Sequence, residues 1–501
     1  MIDRKTPRGR LQQGGSRRRI RLVWPAVVVA TVTASTLVPS PAAGDAPVSA
    51  DGKGVEGVRV EVRDGLTRSL APEGSGDVAL DAPPSTQEGE VMCTPTDGSM
   101  TLLDPPCVMF VDRNHRLAVA QQVAISGDGS AGYASWRLNA ERVAKYDTNE
   151  GLVWEHPGVP PWPDHALGVD ADGSVVTAAM RLADIPTTGS AQLVTWRDEA
   201  GPEPTNTRTQ PLDGMVVTAA SADGSIAVAS ASPPGVPVGG FVVAVYGPGP
   251  ELAPLWVTTG PTLYGLQGVD ISADGSAVAV TTYASTFVYR LPELAPVAVI
   301  PHVNGSGTEA QLTGSRTEAR LSGDGTYLAL GSSSSYQAHL YAWSGTAYEE
   351  KWSSNVGHPW ITAVAVANDG TVVAGTYSYT GGNAGKVIAL AAQDGATLWE
   401  CLCYRDYVDD VEVTPDGSRA VAVSWGDNSS DPAGDVFTAF EGATGDVVFR
   451  LRSGVDEPGS LHSVAISDDG TRVLAAGKAV HARALGNGGQ VYGIVLPGPE
   501  Q

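Results

Sequence analysis

The chain has 501 residues, 42% of them hydrophobic and only 17% charged, with 60 glycines, 35 prolines and a formal net charge of −23. Val, Thr and Ala supply most of the apolar content, which is enough for a real core, so disorder, collagen and coiled coil are excluded for the bulk of the chain. Glycine and proline at about a fifth of all residues demand frequent turns.

In chain order, eight basic residues between Arg4 and Arg21 precede one apolar run from Leu22 to Val38. A basic leader, a short apolar stretch and small residues at Ser40 and Ala42 fit an export signal over residues 1–42, cleaved near Ala42. Ser16, Arg17, Arg18, Arg19 and Ile20 loosely resemble the twin-arginine export motif. An uncleaved N-terminal anchor is the alternative, and the only route to a membrane. Loss of residues 1–42 leaves a net charge of −30, which repels phosphate backbones, so nucleic acid is not an expected partner. The expected location is secreted, periplasmic or cell-surface, and the expected state monomeric.

Residues 43–90 read as an acidic linker rich in Gly and Pro. Within it Val58, Val60 and Val62 alternate with charged residues, as an edge strand over 58–63 would. The four cysteines, Cys93, Cys107, Cys401 and Cys403, suit an exported protein with one or two disulfides. Cys93 with Cys107 is the favoured pair. Cys401 and Cys403 read as a local bridge, cross-links to the N-terminal segment, or a soft-metal or redox site.

From residue 91 onward the chain is repetitive. Asp-Gly followed by Ser or Thr recurs at Asp128, Asp172, Asp223, Asp274, Asp324, Asp369, Asp416 and Asp469, at spacings of 44 to 53 residues. Apolar, alternating runs flank each dipeptide, which predicts a hairpin turning on Asp-Gly, and further runs such as Leu340 to Trp343 predict a third and often a fourth strand. Four strands per repeat is a blade, so residues 91–501 are expected to form an all-β propeller of eight four-stranded blades, with seven as the alternative. The last repeat ends after its third strand, so an N-terminal strand must close the ring. The candidates are 58–63 and the shorter Val108 to Val111.

Ala439, Glu441, Thr444, Gly445 and Phe449 resemble the blade motif of the quinoprotein (PQQ-like) propellers, with Glu441 and Phe449 as departures; Gly395 with Trp399 is similar. Gly357-His358 and the strand ending at Trp343 also resemble WD40 blades. The resemblance spans roughly residues 115–496 and implies architecture, because its motif residues fix turns and interblade packing. The quinone-holding residues of the dehydrogenases do not carry over, since the cysteines here are separated by Leu402, and PQQ is not the expected cofactor.

Counting back from each turn aspartate aligns the inner strands. Five and three residues before it, side chains are nearly all apolar and read as interblade core. Seven before it stand Gln121, His165, Val216, Gln267, Thr317, Thr362, Asp409 and His462, placed on the same face at the channel mouth. In a closed ring Asp409, His462, Gln121 and His165 form one arc, able to bind a ligand or a divalent metal such as Ca or Zn. Four before it, Asp270, Arg320 and Glu412 interrupt a small-residue register, and Asp270 with Arg320 reads as an interblade ion pair. The acidic stretch with Asp427, Asn428, Asp431 and Asp435 lacks the EF-hand pattern and reads as a solvated loop. No catalytic residue is identifiable. The functional expectation is therefore an exported, non-enzymatic scaffold that recognises a protein, glycan or small ligand at the channel mouth or loop face. A quinoprotein-like oxidoreductase and a metal-dependent lactonase-like hydrolase are the alternatives.

Overall fold

The computed structural model describes residues 60–63, 66–69 and 106–499, apart from 115–117, 138–141, 158–166, 182–190, 198–200, 211–215, 232–239, 248–253, 262–264, 303–316, 333–335, 379–383, 427–433, 453–458 and 483–487. The chain divides into two units, Met1–Ala79 and Leu80–Gln501. In the first, strands Val60–Arg63 and Leu66–Ser69 pair antiparallel, with Val60 opposite Ser69. In the second, strands form eight four-stranded antiparallel sheets and the described residues contain no helix. The all-β propeller is thus present, with eight blades rather than seven.

Each repeat folds for the reason its turn suggests. The glycine after the aspartate takes φ between 64° and 87° in all eight turns, a left-handed conformation that costs any residue with a Cβ. The aspartate Oδ1 accepts the N–H two residues on in every blade, for example from Ser130, Thr326 and Thr471. In six blades a Ser or Thr hydroxyl two residues back also donates to it, as Ser322 does to Asp324 at 2.6 Å. Asp-Gly-Ser/Thr therefore caps its own hairpin, and the strands on either side inherit a fixed register.

The blades are joined near the same turns. Asp128 N–H donates to Ala171 O, Ala171 N–H to Ala222 O, Ala222 N–H to Ala273 O, and Asp274 N–H to Gly323 O. Asp324 N–H donates to Asn368 Oδ1, Asn368 N–H to Pro415 O and Asp468 N–H to Gly127 O. Pro415 has no N–H to pass the chain on to blade 8. That junction is held nearer the mouth, where Asp410 Oδ2 accepts Val464 N–H at 3.0 Å.

Apolar faces then pack blade against blade. One core cluster joins Phe241 and Val243 of blade 3 to Val269, Ile271 and Val278 of blade 4. The residues five and three before the turn lie in these seams, as expected: Val123, Val269 and Val364 are buried. Outer-strand tryptophans clip neighbouring blades together. Trp256 donates to Glu293 O, Trp352 to Ala392 O and Trp399 to Gly442 O. Trp399 lies across Gly445, where a Cβ would approach its ring to 2.5 Å. The quinoprotein-like glycine is thus a packing residue.

Closure corrects one expectation. The outer strand of blade 8 is Cys107–Asn114, paired with Gly489–Val495, and Val108 lies fully buried in the blade 7/8 core. The 58–63 candidate instead pairs with Leu66–Ser69. Both segments were apolar enough to serve, but Cys107–Asn114 ends a few residues before the first inner strand, Val119–Ile125, and can reach the adjoining last blade over a short connection. Cys107 is disulfide-bonded; its favoured partner Cys93 lies outside the described residues. Cys401 and Cys403 bond to each other, with 5.3 Å between their α-carbons. The strand register shifts between Gly385 and Val387, opposite Tyr404 and Cys401, and this bulge brings the two closer than a regular strand would. The bond occupies both thiols, which takes the place of the soft-metal reading.

Candidate functional site at the channel mouth

Five of the eight residues seven before a turn share a feature the sequence count did not anticipate. The strand register shifts across Gln121, Gln267, Thr362, Asp409 and His462 in blades 1, 4, 6, 7 and 8. Each occupies a β-bulge, and a one-residue slip reverses which face later side chains occupy. The expectation that these residues continue the face of the apolar seam positions is therefore corrected. The residues six and four before the turn line the channel: Gln122, Asp270, Arg320, Asp410, Glu412 and Ser463 surround a cavity of about 250 Å3. None of the five bulge residues lines that cavity.

The bulge residues instead reach their neighbours at the mouth. Thr362, fully buried, donates its hydroxyl to Val408 O of the next blade. Asp409 and His462, predicted as members of one arc, meet: His462 Nδ1 lies 2.8 Å from Asp409 Oδ2. The same oxygen accepts the Trp425 Nε1 proton at 2.9 Å. A carboxylate oxygen that only accepts makes Nδ1 the protonated nitrogen, so Nε2 of a neutral imidazole is left with its lone pair for a ligand. Gln121 is partly buried and engaged in contacts of its own, while His165 and the side chains of Val216 and Thr317 lie outside the described residues. Asp427, Asn428 and Asp431 do as well; Asp435 is buried and paired with Arg450 and Arg452. Among the described residues no three His, Cys, Asp or Glu side chains converge as metal ligands.

The count back from the turn missed an aromatic row that abuts this pair. Trp425 stacks on Tyr407 at 4.7 Å, Tyr407 meets Tyr377 at 5.7 Å, and Tyr377 meets Trp360 at 5.8 Å. Trp360 and Tyr407 stand nine residues before their turn aspartates, Tyr377 ends the second strand of blade 6, and Trp425 directly follows the second strand of blade 7. An equivalent count nine back would have found the first two. The row is held from below, because Ser460 Oγ donates to Trp425 O and buried His481 pairs with Asp406, next to Tyr407, at 3.1 Å. Trp360, Tyr407 and Trp425 remain partly exposed. Rings in a row with a carboxylate and an imidazole at one end can stack on the flat face of a ligand and hydrogen-bond its edge.

The channel below is strongly charged. Arg320 Nη2 pairs with Glu318 Oε1 of its own strand at 3.0 Å. Asp270 crosses to blade 5 by accepting Leu321 N–H at 2.7 Å, and its relation to Arg320 is attraction at longer range. The interblade contact expected of Asp270 and Arg320 is thus made by the carboxylate with backbone. Asp410 and Glu318, six before their turns, join this group unannounced by the count of four.

No protein-family profile and no curated protein matches the chain. Solved structures do match, among them the β-propeller domain of Cps50 (Swd1) from Myceliophteria thermophila, 11% identical with a TM-score of 0.43. The match covers 64% of this chain and 96% of that one.

Proposed function

We propose that this protein is a non-catalytic binding propeller that takes a protein or glycan ligand on the mouth formed by blades 6 to 8. One observation carries the reading: the row Trp360, Tyr377, Tyr407 and Trp425 runs directly into the Asp409–His462 pair. Such a surface offers stacking faces and fixed polar groups. Export of the protein is part of the proposal, supported by the basic and apolar segment over residues 1–42 and by the cysteine bridges. The quinoprotein-like reading rests on blade-motif residues, of which Gly445 serves interblade packing, and the hydrolase reading on an arc of which Asp409 and His462 meet.

The test is a binding survey of the purified full chain against soluble oligosaccharides and peptides, followed by calorimetry with the best ligand. Trp425→Ala and His462→Ala should each weaken binding by about tenfold or more while the circular dichroism spectrum is unchanged. Unaltered affinity in both variants would remove the mouth from consideration.

A further inference from the structure

Five charged side chains occupy two adjacent levels of the central channel. They are Asp270 of blade 4, Glu318 and Arg320 of blade 5, and Asp410 and Glu412 of blade 7. The other described residues at these levels, such as Gln122, Gly168, Ala219, Ala365 and Ser463, carry no charge. Just above, Asp409 is engaged by His462 and Trp425. Asp270, Asp410 and Glu412 therefore line a cavity of about 250 Å3 together with Arg320, to which Glu318 is ion-paired, and full ionisation of the five groups leaves three negative charges uncompensated. Two of the four carboxyls also tie blades together: Asp270 holds Leu321 N–H of blade 5, and Asp410 holds Val464 N–H of blade 8. Buried, Arg320 Nε and Glu318 Oε2 have no hydrogen-bond partner.

We propose that this cluster is a proton-operated clasp, drawing blades 4, 5, 7 and 8 together while some of its carboxyls carry protons and slackening the ring when they ionise. The proposal does not depend on what the mouth binds.

The electrostatics agree with the geometry. Burial pushes the Glu412 carboxyl up to about 8 and the Asp410 carboxyl up to about 7, against the pull of Arg320. Burial raises Asp270 as well. Burial alone would lower Arg320, but Glu318, Asp270, Glu412 and Asp410 more than reverse that and keep it charged. The folded state then holds protons that the unfolded chain, with carboxyls near 4, has already released. Stability contributed by the cluster is fully present below about pH 4 and is lost progressively as pH rises from there through about 7 to 8.

The experiment follows the carboxylic-acid C=O infrared band and the melting temperature of the full chain between pH 5 and pH 9.5, in wild type and in Glu412→Gln. The wild type should show a protonated-carboxyl band at pH 7 that disappears by pH 9.5, and its melting temperature should fall by several degrees from pH 5 to about 8 and then level off. Glu412→Gln, neutral at every pH, should reduce the band and at least halve the fall. Absence of the band from the wild type at pH 7 overturns the proposal, and that readout stands whether or not the variant folds. An identical pH dependence in wild type and variant overturns it too.

Discussion

At the scale of single residues, the turn aspartates act through the donors placed around them. Asp324 takes the Ser322 hydroxyl, the Thr326 N–H and the Thr326 hydroxyl, whereas Asp369 takes only the Thr371 N–H and hydroxyl because Ala367 stands where blade 5 has serine. Asp324→Ala should cost about 1–3 kcal/mol and Asp369→Ala about half as much, read from urea unfolding midpoints. Equal losses would show that the serine hydroxyl contributes nothing. Gly445→Ala combines φ of 73° with the approach to Trp399 and should cost about 2 kcal/mol or more in the same assay. These turn roles are legible in the sequence, because the residues that cap each hairpin lie within five positions of one another. The aromatic row is less so, since Tyr377 and Tyr407 meet only after two blades have packed.

Among elements, the closing strand matters most. Cys107–Asn114 supplies the outer edge of blade 8, and its backbone bonds to Gly489–Val495 convert an open array into a ring. Deletion of residues 1–79 should leave the melting temperature of the propeller within a degree or two, while deletion through Asn114 should abolish cooperative melting in calorimetry. Equal behaviour of the two truncations would contradict closure by this strand. The Cys401–Cys403 bridge is expected to contribute little by comparison. It closes a ring of very few residues in a strand already held by its neighbour Gly385–Leu390, and its replacement by two serines should cost at most about 2 kcal/mol.

For the whole molecule, two sets of carboxyls oppose each other. Seven turn aspartates titrate below the usual range: burial raises most of them, but the hydroxyl and N–H donors of the turn outweigh it, and at Asp172 the Ser174 hydroxyl is the leading cause. A carboxyl lowered in the folded state stabilises above its unfolded value near 4 and loses that contribution as pH falls through its folded value. The channel carboxyls lose theirs as pH rises. Melting temperature against pH should therefore pass through a maximum near pH 4 to 5, with the acid side set by the rim of turns and the alkaline side by the channel. A curve rising steadily to pH 9 would contradict the opposition.

The all-β class, the eight repeats, their hairpin turns and the apolar interblade seams follow from the amino-acid sequence, because the information for each is local and recurs at Asp128, Asp172 and their equivalents. The nearness of Asp409 and His462 was also readable, from equivalent positions in adjacent repeats. Which of the two candidate segments closes the ring was decided in three dimensions, where Cys107–Asn114 pairs with Gly489–Val495. The placement of the residues at the mouth was decided there too. A bulge inserts one residue without changing the hydrophobic pattern that follows it, so it leaves no periodic signature while taking Asp409 and His462 out of the alternation that Asp410 and Ser463 keep toward the cavity. The carboxyl cluster around Arg320 belongs to the same class of property: its members come from three blades, and only ring closure sets them face to face.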